Sequence, residues 1–156
     1  MAKFAANNRL GGTQQAMAAT FKSLLTASAA TATLRRAWVN SVIFSADGTP
    51  ADFAMVGDVS RITALGTATG VTPPPVDPAD TAAGTVIQAN ATAEPTVTAA
   101  SSLLSYALNV RATYRWTPVM AGQELLIPAT NVNGLAFRAL SPGYTGTAMC
   151  DIEFYE

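Results

Sequence analysis

The stretch LLSYALNVRATYRW, residues 103–116, decides the fold, because its side chains alternate between two sets almost without a fault. Successive side chains of a β-strand point to opposite faces of a sheet, whereas the side chains of a helix repeat about every 3.6 residues. The alternation therefore predicts one β-strand with a packed face and a solvent-facing face. The packed set comprises Leu104, Tyr106, Leu108, Val110, Ala112, Tyr114 and Trp116.

A period of two also recurs elsewhere in the chain, in residues 53–59, 135–140 and 148–156. In the last of these, AMCDIEFYE, we expect the small and apolar side chains to point inward and the acidic ones outward. Short strands separated by turns about every ten residues are typical of two packed sheets. The predicted fold class is therefore all-β, an antiparallel β-sandwich or jelly roll.

One hairpin is predicted within this pattern. Residues 34–44, LRRAWVNSVIF, are rich in Val, Ile and aromatic side chains. Asp47-Gly48 then supplies a turn and Pro50 fixes the exit from it. Because residues 53–59 alternate directly afterwards, we expect them to pair with residues 34–44.

The chain length of 156 residues suits one domain. Residues 1–20 contain Asn-Asn and Gly-Gly and show no lasting period, so we predict an extended N-terminal arm that is flexible alone and ordered when docked. An ordinary frayed terminus is the alternative. Residues 21–156 are predicted to form a single β-sandwich domain.

Charged residues make up only 12% of the chain, about half the usual ~25%. A surface with so little charge promotes association, which favours a protein whose exterior is covered by partners over a merely Ala- and Thr-rich monomer. The net charge of −1 offers no basic field for nucleic acid. The Ala-rich segment 16–32 is interrupted by Lys22 and by Thr and Ser, so we expect no membrane span and no membrane partner.

The residues that usually carry catalysis are scarce. The chain has no histidine and a single cysteine, Cys150, so it offers neither the commonest general base nor a disulfide or zinc site. Cys150 is expected to be a small buried side chain. Asp151 and Glu153 are expected on a solvated strand face, where they stay ordinary carboxylates. We therefore predict that the protein is not an enzyme and that it has no catalytic, cofactor-binding or metal-binding residues.

Candidate interaction residues come from the arm and from the solvent-facing sides of strands. Arginine is enriched at protein interfaces, although cross-strand pairing with the few acids is the alternative for strand arginines. The candidates are Lys3, Phe4, Arg9, Leu10, Arg111, Arg115 and Arg138.

The aromatic side chains bear on a different class of function. They alternate in phase with aliphatic residues, so the simplest interpretation places them in the core. A carbohydrate-stacking platform would instead need them exposed. The residues concerned are Trp38, Tyr106, Tyr114, Trp116 and Phe154.

Four segments resemble a group of tailed-bacteriophage virion proteins that accompany the major capsid protein. They are ATLRRAWV at 32–39, residues 48–73, VDPADTAAGTV at 76–86, and, most specifically, residues 111–156. The three prolines at 73–75 and Cys150 depart from the group's pattern, and no catalytic or metal residues come with the resemblance.

This resemblance implies a capsid decoration, or cement, protein on the exterior of the phage head, assembled in the host cytoplasm. It would bind the major capsid protein across capsomer boundaries, as a homotrimer at a local threefold. The alternatives are a neck or tail component of the virion, or a receptor- or carbohydrate-binding module.

Overall fold

The computed structural model describes residues 1–49 and 51–156. Pro50, which was expected to fix the exit from a turn, lies outside the described residues. A short 3-10 helix spans Asn8–Gly11. The strands are β1 (Lys3–Asn7), β2 (Lys22–Ala29), β3 (Ala37–Gly48), β4 (Ala54–Ala64), β5 (Thr67–Val71), β6 (Thr85–Ala93), β7 (Thr96–Asn109), β8 (Tyr114–Trp116), β9 (Leu125–Ile127), β10 (Gly134–Leu140) and β11 (Gly146–Tyr155).

These strands form two antiparallel sheets that pack together. The five-stranded sheet has the order β1-β11-β3-β8, and β9 also pairs with β3. The six-stranded sheet has the order β5-β6-β2-β10-β4-β7. The predicted antiparallel β-sandwich is confirmed.

The core lies between the sheets and follows the alternation of the sequence. In β11, Ala148, Cys150, Ile152 and Phe154 are buried, while the residues between them are only partly covered. The same rule buries Leu135 and Phe137 of β10. One apolar set from each sheet therefore fills the interior, as two half-buried sheets require.

The segment 103–116 is two strands, and the prediction of a single strand is wrong. Strand β7 ends at Asn109, and β8 begins at Tyr114 in the other sheet. Between them the Ala112 N–H donates to the Asn109 carbonyl and closes a turn. The period of two survives this crossing because both strands direct their apolar side chains into the same core.

The predicted hairpin between residues 34–44 and 53–59 is also wrong. Strand β3 lies in the five-stranded sheet beside β11, whereas β4 lies in the six-stranded sheet between β10 and β7. The turn expected at Asp47-Gly48 is wrong as well, because both residues form the end of β3 and pair with Thr147 and Gly146 of β11. The chain changes sheets between the end of β3 and the start of β4 at Ala54. Alternation specifies which face of a strand is buried, but it does not specify the neighbouring strand.

The predicted extended arm is not confirmed. Residues 3–7 form β1, which pairs with β11 at the edge of the five-stranded sheet. Phe4 is only 1% exposed and stacks on Phe154, with ring centroids 5.4 Å apart. The buried Asn8 amide also bonds to Asn90 and to the Ala148 carbonyl. Apolar contacts and buried hydrogen bonds therefore hold this segment to the sandwich. The domain boundary between residues 20 and 21 stays a prediction.

Candidate interaction surfaces

The Arg138 side chain forms a largely buried ion pair within the protein. It lies on β10 directly opposite Asp58 of β4, and the Asp58 Oδ2 accepts from Arg138 Nε at 3.1 Å and from Nη2 at 2.5 Å. The Asp58 side chain is 6% exposed and that of Arg138 is 16%. Ser60 and Ser102 donate further hydrogen bonds to Asp58, and the guanidinium lies 4.6 Å from the Phe21 ring. These contacts correspond to the cross-strand pairing that the sequence left open.

Two other candidate arginines form ion pairs at the surface. Arg111 Nε lies 3.1 Å from Asp52, and Arg9 Nη2 lies 3.0 Å from Asp47. All four side chains are more than half exposed. Exposed pairs of this kind contribute little to stability, about 0–1 kcal/mol each. Both arginines are therefore accessible to a partner.

The three remaining N-terminal candidates have different surroundings. Lys3 Nζ lies 2.9 Å from Glu153, and its hydrogen bond to that carboxylate raises the pKa of Lys3. Phe4 is buried against Phe154, so its side chain cannot contact a partner directly. Leu10, in the 3-10 helix, is exposed. These residues therefore present no common contact surface.

We call the side of the five-stranded sheet that points away from the core the outer face. A hollow of about 180 Å³ lies on it, lined by residues that include Ile43, Arg115, Asp151 and Glu153. Burial raises the pKa of Asp151, although a hydrogen bond with Asn7 and the charge of Arg9 oppose this shift. The hollow thus combines apolar walls with one cation and two acids.

A second concavity on the outer face, which we call the loop groove, has a volume of about 430 Å³. The 117–121 loop, Asn40, Glu124 and Tyr155 line it. Val119 is 90% exposed and Met120 is 64% exposed. The loop groove therefore has an apolar rim.

Hydrogen bonds fix the loop that forms this rim. The Met120 N–H donates to the Gln123 side chain at 3.2 Å, and the Gly122 N–H donates to Glu124 Oε2 at 2.7 Å. The Gln123 N–H in turn donates to the Met120 carbonyl. The backbone of the loop is thus held by its own residues, while two apolar side chains project into solvent.

Aromatic side chains lie beside the loop groove. Trp38 of β3 lies directly opposite Tyr155 of β11 and Leu126 of β9. Its neighbours Ala37 and Val39 are fully buried, so Trp38 points to the outer face and its expected core position is wrong. Tyr106, Tyr114, Trp116 and Phe154 do pack in or against the core, as expected.

A β-bulge explains the error at Trp38. The pairing of β3 with β11 shifts register between Glu153 and Phe154, which leaves Asn40 as the extra residue of β3. Trp38 is therefore out of phase with the buried Val42 and Phe44, although all three numbers are even. Trp38 and Tyr155 thus form a partly exposed aromatic pair on the outer face. Sequence alternation directs Tyr155 outward but does not reveal the bulge that also directs Trp38 outward.

The described residues offer little reactive chemistry. In residues 1–49 and 51–156, no group of three His, Cys, Asp or Glu side chains is placed to hold a metal ion. Cys150 is fully buried, and burial raises the pKa of its thiol well above the ordinary value. Over the same residues, no helix is long and apolar enough to cross a membrane.

Comparison with known proteins adds no identity. No protein-family model, curated protein or solved structure matches this chain.

Proposed function

We propose that this protein is a structural virion protein of the capsid decoration type, which binds the major capsid protein on the exterior of the phage head. The observation that carries the proposal is the apolar rim of the loop groove. Val119 and Met120 are largely exposed on a loop that its own hydrogen bonds hold in place. Apolar side chains presented on an ordered loop beside a concavity are typical of a contact surface.

The low charge of the chain supports a contact based on shape and apolar area. Five ion pairs among the described residues already use Lys3, Arg9, Lys22, Arg111 and Arg138. The protein thus presents a weak electrostatic field for its size. Such a surface can be covered by a partner with little desolvation of charge.

The identity of the partner rests on the resemblance to virion proteins. On this proposal the outer face contacts the capsid across capsomer boundaries, and the protein is present in many copies per particle. A homotrimer at a local threefold is the assembly that the resemblance implies. The protein would join the head in the host cytoplasm and remain in the virion.

The test is binding to purified heads that lack this protein. We expect wild-type protein to bind in amounts comparable to the major capsid protein and to make the heads more resistant to rupture. Met120→Ser should weaken this binding several-fold. Leu34→Ser is the matched control, because it also removes one exposed apolar side chain, 51% exposed, from outside the loop groove.

Copy number separates this proposal from the alternative placement at the neck or tail. Quantitative gel densitometry and cryo-electron microscopy of whole particles give both the number and the position. Only a few copies, confined to one vertex or to the tail axis, would contradict the decoration role. Equal binding of the Met120→Ser and Leu34→Ser variants would exclude the loop groove as the contact.

A carbohydrate- or receptor-binding module is the second candidate, and the aromatic pair of Trp38 and Tyr155 favours it. Trp38 and Tyr155 are cross-strand neighbours on the outer face, and sugars stack on such aromatic surfaces. A glycan array followed by tryptophan fluorescence titration tests this function. Binding that is lost in Trp38→Ala but kept in Trp116→Phe would support it, and no binding to any glycan would remove it.

A further inference from the structure

Strand β7 is one of the two edges of the six-stranded sheet, and β5 is the other. In the described part of the chain, β7 pairs with β4 alone. The side of β7 that points away from β4 therefore presents unpaired N–H and C=O groups. Such an edge is a template on which another strand can pair.

The usual protection of an edge strand is missing from the second half of β7. Edge strands are commonly protected by charged side chains, by proline or by bulges. No Lys, Arg, Asp or Glu occurs between Glu94 and Arg111. Bulges protect only the first half, where the pairing with β4 shifts register and Ala100 has a φ of 52°. Residues 104–109 pair regularly with β4 and are left as an unprotected edge.

One hydrogen bond shows which backbone groups of this edge are free. The Val110 N–H donates to the Phe53 carbonyl at 2.9 Å, directly beyond the paired ends of β7 and β4. Backbone groups of successive strand residues point to opposite sides, so those of Leu108 and Tyr106 also point to β4. The N–H and C=O groups of Ser105 and Ala107 therefore point away from it.

We propose that two copies of this chain pair through β7, antiparallel, about a two-fold axis at Tyr106. Ser105 of each copy then lies opposite Ala107 of the other, and each of these pairs exchanges two backbone hydrogen bonds. The two six-stranded sheets become one continuous sheet. Because the same patch is used on both copies, the contact closes with two chains.

The side chains at this contact suit a second copy. Those of Ser105 and Ala107 are exposed and small, and the neighbouring Leu103 is 42% exposed. Pairing about Tyr106 places the side chains of residues 105 and 107 of one copy beside those of the other, so like charges at these positions would repel each other. The uncharged edge of β7 has no such repulsion and covers apolar area in the pair.

This contact goes beyond the proposed function and does not depend on it. Strand β7 belongs to the six-stranded sheet, whereas the loop groove lies on the five-stranded sheet. A dimer therefore leaves the loop groove available to a capsid. The predicted homotrimer would need a separate surface.

The experiment is sedimentation velocity over a range of protein concentrations. Wild type should reach twice the chain mass of 16.1 kDa as concentration rises. Ala107→Lys should weaken dimerisation at least tenfold, because the two lysines then lie diagonally across the axis, about 7–8 Å apart and within reach of each other. Thr69→Lys, at an exposed position on the opposite edge strand β5, should leave the dimer intact. Circular dichroism checks that each variant is folded.

A charge-swap mixture identifies the contact independently. Ala107→Glu alone should also be monomeric, but an equal mixture of Ala107→Lys and Ala107→Glu should dimerise, since side chains of opposite charge are then diagonal neighbours across the axis. A wild type that stays monomeric at every concentration overturns the proposal. An oligomer that both single variants leave unchanged, or a mixture that stays monomeric, overturns it as well. None of these outcomes bears on binding to phage heads.

Discussion

Tyr106 and Tyr114 stack across the interior of the sandwich, with ring centroids 4.1 Å apart and planes 13° from parallel. Tyr106 belongs to β7 of the six-stranded sheet, and Tyr114 belongs to β8 of the five-stranded sheet. Tyr106 also contacts the Phe44 ring, whose centroid lies 5.2 Å away. The two tyrosines therefore join the sheets close to the point where the chain crosses between them.

The space for Tyr106 depends on Gly57, which lies directly opposite it on β4. A Cβ added at Gly57 would lie 1.9 Å from the Tyr106 ring. Because Phe44 and Tyr114 hold that ring, it has little freedom to move. We expect Gly57→Ala to lower the free energy of unfolding by about 1–3 kcal/mol, which is typical of overpacking. Urea unfolding followed by tryptophan fluorescence measures this change.

Gly70→Ala is the matched control, because it makes the same change in another strand of the same sheet. A Cβ at Gly70 would meet no atom within 4 Å. The substitution should be neutral or stabilise by about 0.4–1 kcal/mol through the unfolded chain. Equal stability of the two variants would contradict the packing of Tyr106 against Gly57.

The Tyr106 hydroxyl is buried without a hydrogen-bond partner among the described residues, and burial raises its pKa. A buried polar group that lacks a partner costs about 1–3 kcal/mol. We therefore expect Tyr106→Phe to raise the free energy of unfolding by about 1 kcal/mol. Tyr155→Phe, on the outer face, should change it by less than about 0.5 kcal/mol. Chemical denaturation of both variants provides the comparison, and a destabilised Tyr106→Phe would mean that the hydroxyl has a partner.

The faces of most strands could be predicted from the sequence. Alternation correctly predicts Cys150, Ile152 and Phe154 in the core, and Asp151 and Glu153 on the outer face. Burial of apolar surface acts on each strand separately, so a local pattern is sufficient to predict it.

Strand partners and bulges could not be predicted in this way. The expected hairpin failed because β3 and β4 each have an apolar face that either sheet can accept. Alternation predicts the wrong face for Trp38, because a bulge at Asn40 reverses the phase of β3. Similarly, the sequence predicts Phe4 in an arm that orders only on docking, because a five-residue edge strand is too short to show a lasting period. These features depend on long-range pairing, and pairing is a property of the whole fold.

The buried ion pair between Asp58 and Arg138 should be sensitive to loss of one partner. Arg138→Met removes the cation and leaves a carboxylate that is 6% exposed. Leaving a buried charge uncompensated costs about 3–5 kcal/mol. Arg111→Met is the control, because it breaks an exposed pair worth about 0–1 kcal/mol. Thermal and urea unfolding should show a much larger loss of stability in Arg138→Met than in Arg111→Met. A similar small loss of stability in both variants would show that solvent reaches Asp58.

The partly buried Asp151 should make stability depend on pH. Burial raises its pKa in the folded protein above the ordinary value of 3.8. Folding therefore favours the protonated form, and the free energy of unfolding should fall as pH rises from 3.8 through the raised pKa. Asp151→Asn keeps an acceptor for Asn7 and removes the charge, so it should be more stable than wild type at neutral pH. Its advantage should shrink as the pH falls towards 3.8.

Urea unfolding of both proteins at a series of pH values measures the difference between them. Asp80→Asn, at an exposed position, is the control. Its free energy of unfolding should not show the growing advantage over wild type that Asp151→Asn shows as the pH rises. An Asp151→Asn variant that is less stable than wild type at neutral pH would show that Asn7 and Arg9 outweigh burial at this carboxylate. The pKa of Asp151 would then lie below 3.8, and the wild-type protein would gain stability as pH rises.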